Sequence, residues 1–297
     1  MNALLLAWKA SRFLPGSVIR GIAAAGAWIA WLRHGKGVRR MEDNYRRVTG
    51  LEGRALRRLS RAGMASAARY YAETFEVAKL SGEQIDARVR CEIPDRIREA
   101  LESDGRLVVV LGHSGNWDLV GGFTSRNIAS VISVAEVLKP REVFDAFVRL
   151  REDLGMTILG HEGSSTFRQL IAVGQRQGGI LALLADRDLS GDGVVVDFAG
   201  HRARVAPGPA ALSLALGCRL VPLSVHYERL RGERRRRAKS RWGVVMDFGP
   251  FIEAPYEGSN REKVEAMSAD WAAWLGEKVR EHPEDWHMLQ RFGWVDA

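Results

Sequence analysis

The sequence predicts an α/β fold in which helices flank a mostly parallel central sheet, with an N-terminal helical preamble before it. Short apolar runs alternate with helical patterns from about residue 89 onward, and such alternation is typical of parallel sheets wrapped by helices. The run from Arg106 to Gly112 has no polar alternation, which indicates a strand buried on both faces. With 297 residues and 46% apolar side chains, the chain can bury a sizeable core.

The first 32 residues contain two short apolar stretches rich in tryptophan, separated by Lys9, Arg12 and Pro15. Neither stretch supplies the roughly 20 uninterrupted apolar residues of a membrane-spanning helix, and no small-residue cleavage pattern follows them. We expect an element that lies in a membrane interface, with a buried helical hairpin as the alternative. The predicted membrane contacts are Trp8, Trp28 and Trp31.

The rest of the chain divides into predicted elements by hydrophobic period. Residues 41–80 are predicted to be helical throughout and to pack on the sheet, because no linker follows them. A Gly-containing hairpin is expected from residue 193, before a helix opened by prolines. The predicted strands are 89–93, 107–111, 130–134, 156–159, 179–184, 220–226 and 242–248, and the predicted helices are 95–102, 117–126, 141–153, 164–176, 209–216 and 261–280.

His113 and Asp118 form the candidate chemical centre. His113 directly follows the strand that ends near Gly112, and Ser114 is a plausible N-cap for the next helix. Five helical positions separate side chains by roughly 140°, so the pair meets only if His113 precedes the helix and folds back over its first turn. That arrangement suits a base oriented by a carboxylate, although a satisfied structural pair gives the same pattern. The acidic residues Asp186 and Asp188 also lie just past a predicted strand.

The distribution of charge along the chain indicates which kinds of partner the protein could bind. The net charge is +8, and residues 229–241 hold eight basic side chains against Glu233 alone. This segment is interpreted as a solvated hairpin tip or an anchor for anionic lipid, with Arg234, Arg235, Arg236 and Arg237 as its predicted membrane contacts. No aromatic platform or groove-reading motif accompanies it, so we expect no nucleic-acid partner.

Neither a disulfide nor a metal site is expected. Cys91 and Cys218 fit no paired framework and no ligand spacing, and both lie in apolar settings typical of buried thiols.

The segment from His113 to Asp118 resembles the H(x)4D motif of the lysophospholipid and lipid A acyltransferase superfamily. Further similarities occur in the same order along residues 40 to 250: Asn44 with the Arg46 to Val48 run, the segment Ala135 to Pro140, the segment Arg149 to Gly155, and Asp186-Arg-Asp188 before a hairpin. The sequence around Glu136 and Asp186 is most similar to that of phosphatidylinositol mannoside acyltransferases. The resemblance implies one acyltransferase domain over residues 1–297, with a membrane-interface and packing segment (1–80) and an α/β catalytic core (81–297).

The resemblance also implies roles for individual residues. His113 would act as general base, because an imidazole can take a proton near neutral pH, and Asp118 would hold its tautomer. The oxyanion donors would be backbone N–H groups near Gly115 and Asn116, or Arg151. Substrate-binding or transition-state support is expected from Glu136, Lys139, Arg151, Asp186, Arg187 and Asp188.

We therefore expect transfer of a long-chain, palmitoyl-like acyl group from acyl-CoA to a mannose hydroxyl of phosphatidylinositol mannoside. No cofactor is expected beyond acyl-CoA as donor substrate. The enzyme would sit on the cytoplasmic face of the cell membrane as a peripheral protein, held by the anionic lipid surface where its glycolipid acceptor lies. Two alternatives remain open at this point: a lipid A precursor acyltransferase that uses acyl carrier protein, and a non-catalytic protein that binds anionic lipid.

Overall fold

A computed structural model describes residues 14–77, 79–137, 139–161, 163–188, 191 and 193–295. Its main sheet has seven strands, and a separate antiparallel hairpin has two. The strands of the sheet are β1 (Val89–Cys91), β2 (Arg106–Leu111), β3 (Val131–Glu136), β4 (Met156–His161), β5 (Gly179–Leu184), β8 (Leu220–Arg229) and β9 (Trp242–Phe248), and the hairpin pairs β6 (Val194–Phe198) with β7 (His201–Val205).

The strand order is β1-β9-β8-β2-β5-β3-β4. Strands β8, β2, β5, β3 and β4 are mutually parallel. Strand β9 runs antiparallel to β8, and β1 is parallel to β9. The predicted mostly parallel sheet is therefore confirmed, with one reversed pair of strands at its edge.

Helices cover both faces of this sheet and precede it. Those that lead into the sheet are α1 (Gly16–Leu32), α2 (Lys36–Thr49), α3 (Gly53–Val77) and α4 (Gly82–Arg88). The later helices are α5 (Asp95–Asp104), α6 (Trp117–Asn127), α7 (Arg141–Asp153), α8 (Ser164–Gln177), α9 (Gly208–Leu216), α10 (Gly232–Ala238) and α11 (Asn260–Glu281).

The sheet separates two apolar cores, because alternate side chains of each strand point to opposite faces. In β2, Val108 and Val110 join the core formed with α2, α3, α9, α11 and the β6–β7 hairpin. Leu107 and Val109 join the core formed with α4, α5 and α6. A strand covered on both faces needs apolar residues at every position, which is why β2 shows no polar alternation.

Two local predictions are wrong. Residues 41–80 are not one helix, because Gly50 ends α2 in the left-handed conformation with φ 69° and α3 begins at Gly53. Gly tolerates that conformation at a helix end without a Cβ penalty. The N-cap of α6 is Asn116, whose side chain accepts from the Leu119 N–H at 3.0 Å, rather than Ser114. The short 3₁₀ turn Pro283–Asp285 follows α11 and opens the last segment of the chain.

The N-terminal helices pack against one another and against that last segment. Helix α1 lies along α3, where Arg20 pairs with Glu76 at 2.6 Å. Helix α2 buries Met41, Tyr45 and Val48 in the first core. None of the helices in the described ranges is long and apolar enough to cross a bilayer.

Candidate active site

The carboxyl ends of β2 and β5 bring the candidate base and a carboxylate together. These two strands are neighbours, with Leu111 opposite Leu184 in the register. His113 and Asp186 each lie two residues past these positions. A Cβ atom at Gly112 would lie only 3.2 Å from the Asp186 carboxylate, so glycine here lets the β2 turn approach that side chain.

Asp186 holds His113 through two hydrogen bonds. Its Oδ1 lies 2.6 Å from Nδ1 of the imidazole, and its Oδ2 accepts from the His113 backbone N–H at 2.9 Å. The Trp286 indole N–H donates to the same Oδ2 at 3.0 Å. Burial alone would raise the pKa of Asp186, but the imidazole, the backbone N–H and the indole bring it below its usual value. Asp186 therefore stays ionised behind the ring and fixes its orientation.

The predicted pairing of His113 with Asp118 is wrong. Asp118 is fully buried at the start of α6, where Arg151 Nε donates to Oδ1 at 2.7 Å and the Tyr70 hydroxyl to Oδ2 at 2.9 Å. Both carboxylate oxygens therefore have partners other than His113, whose Nδ1 is already bonded to Asp186. Arg151 is therefore held by Asp118 and not by the loop of Asp186.

The Asp118–Arg151 pair fixes α7 against α6. Burial alone would lower the pKa of Arg151, but Asp118 and Tyr70 raise it above its usual value. The guanidinium also lies 4.2 Å from the Trp117 ring centroid, which is a favourable cation–π position. Arg151 is therefore a permanent buried cation, and it lines the same open space as His113. Gly115, proposed above as an oxyanion donor, instead donates its N–H to the Asp285 carbonyl at 2.9 Å.

An open cleft of about 550 Å³ faces His113, which is within the usual size of ligand pockets. The imidazole is 35% exposed, while Asp186 behind it has no exposed surface. Among the described residues, none forms a hydrogen bond with Nε2 of this ring. One part of the cleft wall is largely apolar and aromatic: Tyr70, Tyr71, Trp117, Phe144, Phe147, Phe167 and Leu170.

The polar part of the cleft contains three of the other predicted site residues. Glu136 is exposed at the end of β3, opposite His161 of β4, and Arg187 and Asp188 line the same cleft. Asp188 accepts from the backbone N–H groups of Gly191 and Gly193, so it also orders its own loop. Lys139 is exposed and lies outside the lining of the cleft.

A second, smaller cavity lies behind the cleft. It has about 30 Å³ of free volume and an almost wholly apolar wall between the sheet and α6. Trp117 and Leu184 line both the cleft and this cavity. The two spaces are therefore adjacent, with the Trp117 ring at their boundary.

Sequence reasoning missed three residues that contact the candidate centre. These are Trp286, Tyr70 and His287, whose backbone N–H donates to the His113 carbonyl at 2.9 Å. Burial, with Arg69 and His113 nearby, lowers the pKa of His287 to about 3, so its ring is neutral near pH 7. No motif signals these residues. Tyr70 reaches Asp118 from α3, whereas Trp286 and His287 reach Asp186 and His113 through the return of the chain terminus.

The predicted membrane contacts are placed in different environments. Trp28 is 53% exposed on α1. Trp31 is half-buried, its indole N–H donates to Ser60 at 3.1 Å, and the Arg57 guanidinium lies 4.2 Å from its ring centroid. Trp8 lies outside the described residues.

The basic segment is a helix, α10, between β8 and β9, and not a bare hairpin tip. Three of its predicted contacts pair with acids: Arg234 with Glu228, Arg236 with Glu233 and Arg237 with Glu83. Arg235 instead lines a space of about 430 Å³, the arginine pocket, whose walls are Arg229, Leu230, Arg231, Arg235 and Arg241.

The cysteines are inert. Both thiols are free and partly buried, and burial raises the pKa of each to about 11. Neither thiol is therefore a nucleophile near neutral pH.

Comparison with known proteins gives consistent matches over nearly the whole chain. Residues 2–292 match the family described as "Bacterial lipid A biosynthesis acyltransferase". The phosphatidylinositol mannoside acyltransferase of Mycolicibacterium smegmatis is 32% identical over 289 residues, covering 95% of this chain and 88% of that protein. The enzyme of the same name from Mycobacterium tuberculosis strain H37Rv is 31% identical over 287 residues, covering 95% and 85%.

A solved structure also aligns with the chain. The crystal structure of the 1-acyl-sn-glycerophosphate acyltransferase from Thermotoga maritima gives a TM-score of 0.39 at 15% identity, covering 88% of this chain and 96% of that one. This similarity is too low to support an inference about activity.

Proposed function

The chain belongs to the bacterial lipid A biosynthesis acyltransferase family, and on that premise we propose that it moves a long-chain acyl group from acyl-CoA to a mannose hydroxyl of a phosphatidylinositol mannoside. One observation carries the proposal: the His113 ring is held at Nδ1 by buried Asp186 and opens on its other side into a substrate-sized cleft. The names of the relatives support the choice of acceptor.

In the proposed reaction, Nε2 of His113 takes the proton of the acceptor hydroxyl as its oxygen attacks the thioester carbonyl. A positioned general base of this kind contributes roughly 10² to 10⁴ in rate. Asp186 stabilises the imidazolium that forms, as the third member of a hydrolase triad does. The tetrahedral intermediate then expels the thiolate of CoA, which receives the proton from the imidazolium. The reaction as proposed uses no cofactor.

A direct transfer without an acyl-enzyme is favoured by the surroundings of Ser114. Its backbone forms a bridge with Trp286, and the residue is only 7% exposed. A serine nucleophile needs an adjacent base within hydrogen-bond reach, and no hydrogen bond joins Ser114 to His113 within the described residues. The hydroxyl of the acceptor is therefore the attacking nucleophile in this proposal.

The two substrates would use different walls of the cleft. The acyl chain suits the aromatic wall, and its end would reach toward the cavity behind Trp117 after that ring and its neighbours move. The sugar headgroup suits the polar wall, where Glu136 and Asp188 can accept from hydroxyls and Arg187 can contact a phosphate. Lys139 would contact the acceptor only from the rim.

The proposal places the protein on the anionic cytoplasmic face of the cell membrane. On α1, Val18, Ile22, Ile29 and Leu32 recur at helical spacing and are 42%, 62%, 44% and 51% exposed. Such an apolar stripe suits an element that lies in the headgroup region of a bilayer. The arginine pocket adds positive charge, and within the part of the chain that the structure describes none of its arginines pairs with a carboxylate.

The test is a matrix of two donors and two acceptors. The purified chain is given palmitoyl-CoA or palmitoyl acyl carrier protein with either a phosphatidylinositol mannoside or a lipid A precursor, and products are read by mass. We expect a product heavier by one acyl group with palmitoyl-CoA and the mannoside. A product only with the lipid A precursor would overturn the acceptor, and no product in any of the four reactions would overturn the activity.

A further inference from the structure

The last segment of the chain, residues 283–294, crosses the turn that carries His113; we name it the C-terminal strap. The Gly115 N–H donates to the Asp285 carbonyl and the His287 N–H to the His113 carbonyl, each at 2.9 Å. Ser114 and Trp286 form an antiparallel bridge between these two bonds. The strap thus pairs with the catalytic turn as a short strand would.

One side chain of the strap reaches the candidate catalytic carboxylate. Trp286 has no exposed surface and its indole N–H lies 3.0 Å from Asp186 Oδ2. The other oxygen of Asp186 holds Nδ1 of His113. Both oxygens of the Asp186 carboxylate therefore have donors, so the group cannot rotate about its Cβ–Cγ bond without losing a hydrogen bond. Hydrogen bonds to an ionised carboxylate are stronger than those between neutral groups.

The strap is itself fixed by the N-terminal helices. Asn44 of α2 donates to the carbonyls of Met288 and Gln290 at 2.9 and 3.0 Å, and the Tyr45 hydroxyl donates to the Trp286 carbonyl at 3.0 Å. Ser66 of α3 donates to the Asp285 carboxylate at 2.6 Å. The N-terminal helices therefore fix the backbone of Trp286, and the Trp286 indole in turn holds the Asp186 carboxylate.

We propose that Trp286 is a positioning residue for the transfer reaction, acting through Asp186 on His113. The inference rests on the proposed function for its rate measurement. Trp286 is not placed to touch the substrate, because it is fully buried and does not line the cleft. Its loss should therefore lower kcat and leave KM for both substrates nearly unchanged.

The test compares Trp286→Phe with Trp294→Phe. Trp294 is a matched control, since it lies in the same strap, packs on the same Phe292 and donates its indole N–H at 2.9 Å, but to Asn44. We expect kcat to fall roughly 10- to 100-fold in Trp286→Phe, the size seen when a catalytic group is slightly misplaced. We expect less than about a twofold change in Trp294→Phe. Equal kcat values in the two variants would overturn the inference.

A second readout does not depend on any substrate. The short bond between His113 Nδ1 and Asp186 should give a far-downfield proton resonance that disappears in His113→Ala. We expect that resonance to shift or broaden in Trp286→Phe and to stay in place in Trp294→Phe. An unchanged resonance in Trp286→Phe would overturn the inference even if the acyl acceptor has been wrongly identified.

Trp286→Phe can fail to fold, because the ring also packs on Phe198 and Phe292. Site-specific replacement of Trp286 by benzothienylalanine keeps the bicyclic shape and substitutes sulfur for the N–H group. The same loss of kcat and the same spectral change are expected there. Full kcat in this variant would show that the indole fills space without positioning Asp186.

Discussion

The turn that carries His113 and the arginine pocket at the end of β8 hold charged side chains in opposite environments. At the turn, Asp118 and Asp186 are fully buried, and each has partners on both carboxylate oxygens. At the pocket, Arg231 and Arg235 are exposed, and neither pairs with an acid within the described ranges. In the first region, hydrogen bonds hold individual side chains in one orientation. The second region exposes positive charge to solvent and to any anionic surface.

Burial explains this difference. A buried charge that loses a partner carries its full desolvation cost, so each partner at the turn is needed. Exposed charges are screened by water and salt, so single arginines in the pocket should matter little. We therefore expect large, specific effects from substitutions at the turn and small, additive, salt-dependent effects at the pocket.

The largest effect is expected for Asp186→Asn. The amide cannot stabilise the imidazolium and favours the wrong tautomer, a change that lowers kcat by about 10⁴ in a hydrolase triad. We expect a loss of about 10³ to 10⁴ in kcat/KM, measured as acyl transfer by a variant whose thermal unfolding is checked. A loss below tenfold would show that Asp186 does not support the base.

The Asp118–Arg151 pair is expected to contribute to the stability of the fold. Arg151→Met leaves Asp118 buried without its cation, which costs about 3–5 kcal/mol when a buried pair is broken. The double variant Asp118→Leu/Arg151→Met should lose less stability than the sum of the two single variants. Denaturant unfolding measures all four proteins, and strictly additive losses would contradict a coupled buried pair.

The arginine pocket gives a smaller effect. Arg231→Gln/Arg235→Gln removes two cations worth about 1 kcal/mol each near an anionic membrane, so binding to vesicles with anionic lipid should weaken about 10- to 30-fold at low salt. The control Arg236→Gln/Arg237→Gln removes arginines that already pair with Glu233 and Glu83. Equal weakening in both variants would mean that net charge alone, and not the pocket, sets the affinity.

The smallest effect concerns His226, which lies in β8 between the two regions and stacks on His282 with ring centroids 3.8 Å apart. Burial, then His282 and Arg90, lowers the pKa of His226 to about 4, despite Asp247 and Glu228 nearby. The unfolded chain binds a proton near pH 6.5 and the folded chain only near pH 4. Stability from this group is therefore present above about pH 6.5 and lost as the pH falls toward 4.

His226→Gln should make the free energy of unfolding less sensitive to pH in that window, by about 1 kcal/mol after allowance for partial exposure. Urea unfolding at pH 7 and pH 4.5 measures this change. An unchanged pH dependence in the variant would show that His226 is protonated to the same extent in both states.

Much of the fold could be predicted because it depends on local pattern. The bounds of β5, β9 and α7 match those predicted from hydrophobic period. Hydrophobic period does not locate the break at Gly50, because the break depends on the left-handed backbone conformation of one residue. Pairings in the sheet depend on strand order, which hydrophobic period does not determine. The sequence alone therefore indicates Asp118, the nearest carboxylate, as the partner of His113, whereas the fold supplies Asp186.

The same limit applies to the C-terminal strap. Trp286 reaches Asp186 across 100 residues, and Asn44 reaches Met288 across 244. Contacts between residues so far apart in the chain produce no periodic pattern in a single sequence. In the sequence, only the resemblance to the acyltransferases distinguishes Asn44, and the structure supplies its physical role as an anchor of the strap.

The most direct test of the central claim is the rate of palmitoyl transfer from palmitoyl-CoA to a phosphatidylinositol mannoside by the native protein and by His113→Ala. His113→Ala also removes a partner of buried Asp186, so we expect a lower unfolding temperature, and the rates are compared at a temperature where thermal unfolding shows the variant to be folded. We predict that transfer falls by about 10³- to 10⁴-fold, no less than in Asp186→Asn, because Asp186 acts through His113. Transfer at the native rate by folded His113→Ala would contradict the assignment of His113 as the base.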